Sequence, residues 1–300
     1  MEENLSKYIC SYLTYLEKEL GYTSDTIKSY EIDLKQYAMY LKLKKINFKN
    51  INKDTARDYL KYLDNLNLTN KSISRKLSSL RGFYNFLVDI LVTDTNIYES
   101  ISNPKVEKKL PDFLNYEEID NLLESVDTST ALGIRNRLLL ELIYATGIRL
   151  SECANLKLSN INKYENSLKI FGKGQKERIV YYGEYAEKYL NLYLSESRDK
   201  LLNGKNSEYL FINHFGNQLH AEGIENVLKE QVKKISLKHK ISIHTLRHTF
   251  ATHLLNNGAD IKTVQELLGH SSLATTEIYT HITSERVREV YNKTHPRNRK

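Results

Sequence analysis

The stretch ISIHTLRHTFATHLLNNGADIKTVQELLGHSSLATTEIYTHI, residues 241–282, is the most informative in the chain. His244 and Arg247 are three residues apart, so they share one face at the start of a helix. Asn256, Asn257 and Gly258 stop that helix, and a second runs from Asp260 to a C-terminal Gly269. His270 follows directly. Ser271 is placed to cap a third helix, with Tyr279 two turns in.

Upstream, SLKIFGKGQKERIVYY (167–182) alternates apolar and polar residues on both sides of a Gly172–Gly174 turn, which predicts a β-hairpin with Lys173 at its tip. Before it lies the long apolar segment LLLELIYATGIRLSECANL (138–156), and Asn115 with Glu117 and Glu118 opens a helix earlier still. Glycine is rare in the first part: only Gly21 and Gly82 precede residue 133, and ten follow. The first part therefore reads as continuous helices and the later part as a mixed fold with tight turns. The charged segment SNPKVEKKLPDF (102–113), bracketed by Pro104 and Pro111, reads as a connection between them.

Four amphipathic helices are expected in the first part. They carry Leu5, Tyr8, Ile9, Tyr12, Leu13 and Leu16; Ile27, Tyr30, Leu34, Tyr37 and Leu41; Ala56, Tyr59, Leu60 and Leu63; and Ile73, Leu77, Leu80, Tyr84 and Leu87. Together they make a small bundle. The fourth helix carries Lys71, Arg75, Lys76 and Arg81 on its polar side; such a row is usually a solvated face, and a phosphate-facing role is the minority reading until something else points to DNA.

Composition is that of a globular chain, with 40% hydrophobic and 27% charged residues. No window approaches 18 uninterrupted apolar residues and the N-terminus is polar, so neither a membrane span nor a secretory signal is expected. Cys10 and Cys153 form neither a metal-ligand spacing nor a disulfide framework, which fits a reducing cytoplasm. The net charge of +7 permits a polyanionic partner but does not by itself require one.

The 241–282 segment, LLGHSSLATTEIYTH above all, closely resembles the H-x-x-R … G-H … Y signature of tyrosine recombinases and integrases. ATGIRLSE (145–152) resembles the family's first arginine motif and FGKGQKER (171–178) its lysine-bearing hairpin. TSDTIKSYEIDLKQYAMYL (23–41) and ISRKLSSLRGFYNFLVD (73–89) are similar to its helical core-binding region. The XerC/XerD branch is nearest, with His295-Pro296-Arg297 resembling its tail. The chain departs from the usual pattern at Asn96-Ile97, where Asn-Pro is common, and at Tyr181-Tyr182-Gly183, where Pro-Leu-Gly is common.

The resemblance implies a mainly α fold with a small β-hairpin or sheet (α+β). Residues 1–88 would form a helical, SAM-like core-binding domain, 89–107 a linker and 108–300 the catalytic domain, the two domains making a C-shaped clamp on DNA. It implies Tyr279 as nucleophile, with Arg149, Lys173, His244, Arg247 and His270 as the other catalytic residues. Glu152 reads as a brace for an arginine or the local backbone. His248, His253 and His281 read as locally packed. No carboxylate cluster suited to Mg²⁺ accompanies the six, so neither metal nor cofactor is expected.

The implied activity is metal- and ATP-independent cleavage and rejoining of DNA strands through a 3′-phosphotyrosine and a Holliday junction. The expected partners are paired double-stranded sites and a homotetramer or a heterotetramer with a paralogous recombinase, in the cytoplasm at the nucleoid. A septal DNA translocase joins them if the role is chromosome dimer resolution. DNA inversion for phase variation, mobile-element integration, type IB topoisomerase-like relaxation and catalytically silent DNA binding stand as alternatives. The helical tail carrying Val287, Val290 and Tyr291 is expected to pack on a neighbouring protomer.

Overall fold

The structure is a computed structural model that describes residues 2–105, 113–172, 177–235, 241–269 and 280–298. The chain divides into two compact units, Met1–Lys109 and Leu110–Lys300. The fold is mainly helical with one three-stranded sheet, as the sequence indicates. Among the described residues no helix is long and apolar enough to cross a membrane.

In the first unit, α1 (Glu2–Lys18), α2 (Ser24–Lys44), α3 (Lys53–Asn65) and α4 (Asn70–Asp89) form the bundle. Their starts follow from local chemistry. The Asn52 side chain accepts the Thr55 N–H at 2.8 Å, and Thr69 does the same for Ser72 at 3.2 Å. Each cap satisfies a donor that the first turn leaves unpaired.

Tyrosines run through the bundle's core beside its leucines. Tyr98 donates its hydroxyl to that of Tyr37 at 2.8 Å, the Tyr37 and Tyr84 hydroxyls lie 3.0 Å apart, and Tyr84 donates to the Phe48 carbonyl at 2.9 Å. A chain of buried phenols is thus hydrogen-bonded from end to end, the condition for keeping polar groups in a core. Tyr98 and Ile101 lie beyond α4 yet belong to this core. Asn96 turns the chain there, accepting the Tyr98 N–H at 3.1 Å and donating to the Arg81 carbonyl at 2.9 Å.

The second unit is built around α6 (Ala131–Thr146), whose buried residues run from Gly133 to Thr146 on all sides. A helix buried on nearly every side lies at the centre of its domain, and its buried charges are paired or bonded there, Arg137 with Glu141 at 3.0 Å and Arg135 with the Ile212 carbonyl at 3.0 Å. Around it lie α5 (Tyr116–Glu124), α7 (Leu150–Ala154), α8 (Glu184–Leu192), α9 (Arg198–Leu202), α10 (Ala221–Lys234), α11 (Ile243–Asn256), α12 (Ile261–Leu268) and α13 (Thr280–Thr294). The antiparallel sheet runs in the order β1 (Ile161–Asn162), β2 (Ser167–Phe171), β3 (Glu177–Tyr181), with Ser167 opposite Tyr181 at the open end of the hairpin and Phe171 opposite Glu177 at the other. Leu168, Ile170 and Val180 face the core.

The C-terminal helix corrects one expectation. Val287 and Tyr291 are buried in the core of their own unit, and Val290 packs against it. Beyond α13, His295 is fully buried with its ring stacked on Tyr291, and burial pushes its imidazole down to about 3. Arg297 pairs with Asp120 at 2.9 Å and with buried Glu141 at 3.6 Å. The apolar positions of the tail are therefore spent within the chain rather than on a neighbour.

Candidate active site

Gly147 ends α6 in the left-handed conformation (φ +59°), its N–H bonded to the Ile143 carbonyl at 2.9 Å. A Cβ at this position would lie 2.5 Å from the Phe250 ring of α11, so glycine is required both by φ and by the close approach of α11. Two residues on, Arg149 begins α7. Its N–H donates to Glu152 Oε2 at 2.7 Å, and its guanidinium donates Nη1 to Glu152 Oε1 at 2.8 Å. The glycine and the acid of the 145–152 motif thus aim the arginine between them.

α11 starts at a Ser242 cap, whose hydroxyl accepts the Thr245 N–H at 3.1 Å. His244 is exposed in the first turn, and Arg247, one turn on, is buried. Arg247 donates to the Gly147 carbonyl and, at 2.6 Å, to the Leu268 carbonyl at the end of α12. Arg149 donates Nη2 to the next carbonyl, that of Gly269, at 3.0 Å. A third arginine, Arg178 of β3, donates Nε to the Leu267 carbonyl at 2.9 Å. Its two terminal nitrogens go to the Glu152 oxygens at 2.9 and 2.8 Å.

Three guanidiniums from three segments therefore take three successive carbonyls, Leu267, Leu268 and Gly269, where α12 ends in a left-handed Gly269 (φ +64°). Those carbonyls form the negative pole of the helix and have no partners inside it. Burial pushes the Glu152 carboxyl upward, but hydrogen bonds from Arg178 and Arg149 override it and hold it down at about 2. Burial lowers Arg247 to about 10, and neighbouring Arg149 adds to the effect, so it stays charged at neutral pH. Three positive groups around one carboxylate leave a positive excess, open to solvent mainly at Arg149, whose side chain is 41% exposed.

Of the six residues expected to be catalytic, the structure brings Arg149 and Arg247 onto adjacent carbonyls and sets His244 on the same helix as Arg247. Lys173, His270 and Tyr279 lie outside the described residues, as does the helix start expected at Ser271. Glu152 braces an arginine and the backbone, as its motif position suggests. His253 packs locally, its Nδ1 2.8 Å from the Tyr144 hydroxyl and its ring stacked on Tyr116. Arg178 is the participant that sequence reasoning missed. Its signal was the strand alternation that turns residue 178 inward beside Val180, an unusual place for a charge.

On α4 the four basic residues separate. Lys71 is exposed. Arg75 is partly exposed and reaches the Ser29 carbonyl at 3.3 Å and the Asp33 carboxylate. Lys76 is buried and bonded to buried Asp33 at 2.8 Å. Arg81 donates to the carbonyls of Tyr98 at 3.0 Å and Ile101 at 2.6 Å. Lys76 and Arg81 hold the bundle together, and their charge is engaged inside it.

Comparison with known proteins agrees with these observations. The phage integrase family matches residues 112–286, and the phage integrase N-terminal SAM-like domain matches residues 9–89. Tyrosine recombinase XerC of Oceanobacillus iheyensis is 44% identical over 296 residues, 98% of this chain and 97% of that protein. Tyrosine recombinase XerD of the same organism is 41% identical over 286 residues, 94% of this chain and 96% of that protein. Among solved structures, the XerH site-specific recombinase bound to difH substrate in a pre-cleavage complex superposes with a TM-score of 0.72. It is 26% identical, with 96% of this chain and 95% of that chain covered.

Proposed function

The chain belongs to the phage integrase family and is a Xer-like tyrosine recombinase, and on that premise we propose that it cleaves duplex DNA at a recombination site through Tyr279. The observation that carries this reading is the pair Arg149 and Arg247, held side by side by the carbonyls of Leu268 and Gly269 with Arg149 open to solvent. A phosphodiester has two non-bridging oxygens, and two guanidiniums offer each of them charge-assisted hydrogen bonds. Because the surrounding bonds preset both arginines, little reorganisation is needed as negative charge builds on the pentacoordinate phosphorane. Such donors are typically worth about 3–4 kcal/mol each.

The Tyr279 oxygen attacks phosphorus, the bond to the 5′-oxygen breaks, and the 3′-phosphate remains on the tyrosine. The phosphotyrosine conserves the energy of the phosphodiester, so attack by a 5′-hydroxyl rejoins a strand without ATP. His244 assists removal of the tyrosine proton, His270 adds a hydrogen bond to the phosphate, and Lys173 protonates the departing 5′-oxygen. Lys71 and the exposed part of Arg75 contact the DNA backbone from the first unit.

In the cell we assign the protein to chromosome dimer resolution at the nucleoid. Two DNA sites would pair within a tetramer of this chain and a paralogous recombinase, exchange strands through a Holliday junction and answer to a septal DNA translocase. The test is incubation with nicked suicide duplexes carrying a Xer-type site, followed by denaturing gels. A covalent adduct that Tyr279→Phe abolishes is the expected result. Tight, site-specific binding with no adduct for the unsubstituted chain would refute the assignment.

A further inference from the structure

Arg178 spends every nitrogen inside the protein. Nη1 and Nη2 bind the two oxygens of Glu152, Nε binds the Leu267 carbonyl, and the side chain is only 11% exposed. Two of its five N–H groups are left over, but the enclosed side chain gives a substrate little access to them. Arg149 shares the same carboxylate through Nη1 but keeps much of its guanidinium in solvent. Glu152 itself is nearly buried, at 6% exposed, and fully ionised. A buried carboxylate beside a phosphate site competes with the phosphate for the nearest guanidinium, and bidentate pairing is the strongest form of that competition.

We infer that Arg178 is a positioning residue that occupies the charge of Glu152 and so keeps Arg149 free for the scissile phosphate. The inference rests on the reading of Arg149 as a phosphate ligand. Arg178 covers both carboxylate oxygens, so Arg149 needs to give only Nη1 to hold its place. Its Nη2 is then anchored on Gly269, and its remaining N–H groups have no partner among the described residues. Without Arg178, Arg149 is the sole side-chain partner, among the described residues, of an ionised, buried carboxylate. The pair would close into a bidentate clasp, drawing Nη2 off Gly269 and the guanidinium away from the DNA.

The measurement is single-turnover cleavage of the suicide duplex at saturating protein, with duplex affinity and melting temperature recorded for each variant. Arg178→Met slows cleavage on the order of 10- to 100-fold with little change in affinity. Arg178→Lys, which keeps the charge, stays within several-fold of the unsubstituted chain. Glu152→Gln alone is slow, because it strands Arg178. The double variant Arg178→Met/Glu152→Gln cleaves faster than Arg178→Met, because the competing charge is gone.

A purely structural role predicts instead that the two substitutions compound. The inference is overturned if Arg178→Met cleaves normally, if Arg178→Lys is as slow as Arg178→Met, or if the double variant is slower than both single ones. Should Arg178→Met not fold, recovery of folding and cleavage in the double variant supports the inference, and their absence overturns it. Arg149→Ala in the same assay separates the two levels. Normal cleavage by Arg149→Ala sinks the phosphate reading itself, whereas its loss together with compounding in the double variant sinks only the role of Arg178.

Discussion

Replacing Glu152 by Gln makes permanent the neutral state that acid would impose on it, so the substitution and a pH series must agree. The carboxyl is held at about 2 in the folded chain, against an ordinary value near 4.5, by hydrogen bonds from Arg178 and Arg149 that outweigh burial. That gap corresponds to roughly 3 kcal/mol. Solvent reaches the site along Arg149, so about 2 kcal/mol is the fairer expectation. The sign follows from the direction of the shift. A carboxylate held below its unfolded value contributes its full stability above pH ~4.5 and loses it as pH falls toward ~2.

At pH 7 the transition of the Leu110–Lys300 unit in Glu152→Gln should therefore come about 4–8 °C below that of the unsubstituted chain. By pH ~3.5 the unfolded carboxyl is largely protonated and the folded one is not, so close to half of the contribution is gone and the gap narrows to about 2–4 °C. Differential scanning calorimetry of both proteins across this range is the assay. A gap that stays constant or widens with acid would mean that Glu152 stabilises by shape rather than by charge, and the reasoning about the cluster would fall with it.

Gly147→Ala forces an L-residue into φ +59° and sets its Cβ against the Phe250 ring, so calorimetry should show a loss of at least about 2 kcal/mol. Because the Gly147 carbonyl also holds Arg247, single-turnover cleavage should slow as well. Asp33→Ala strands the buried Lys76 ammonium and should cost the bundle about 3–5 kcal/mol in urea unfolding. Lys71→Ala should leave stability unchanged while weakening duplex binding and reducing the magnitude of its salt dependence by about one ion, read by titration at several salt concentrations. Tyr291→Ala empties a fully buried site in the chain's own core and should lower the stability of the second unit by about 3–5 kcal/mol in the same unfolding assay. Unchanged stability there would revive packing of the tail on a neighbour.

What the sequence made legible is what is decided within a few residues. Asn115 and Asp260 each cap a helix because their side chains reach an N–H three positions on, and the short run containing each shows it. The hairpin was legible for the same reason: alternation and a glycine turn lie in one short run. What stayed hidden is the partner of a charge. Lys76 and Lys71 both read as polar-side residues of one helix, and Asp33, 43 residues from Lys76, makes one of them a structural ammonium while the other is exposed. Arg178 needed Glu152, 26 residues back, and the end of α12, 89 residues ahead. The apolar stripe of α13 likewise announced that something must cover it, but periodicity carries no information about which surface does so.

The long-range bonds are also where the chemistry is assembled. Fixing the end of α12 needs donors for three carbonyls, and this fold takes all three from arginines. The choice answers two demands at once. The carbonyls disperse part of each positive charge, which lets guanidiniums crowd together without a second carboxylate among the described residues. The guanidiniums in turn fix the direction in which the chain leaves α12, one residue before His270. A neutral donor would satisfy the same carbonyls, but it would leave no charge behind for a phosphate to find.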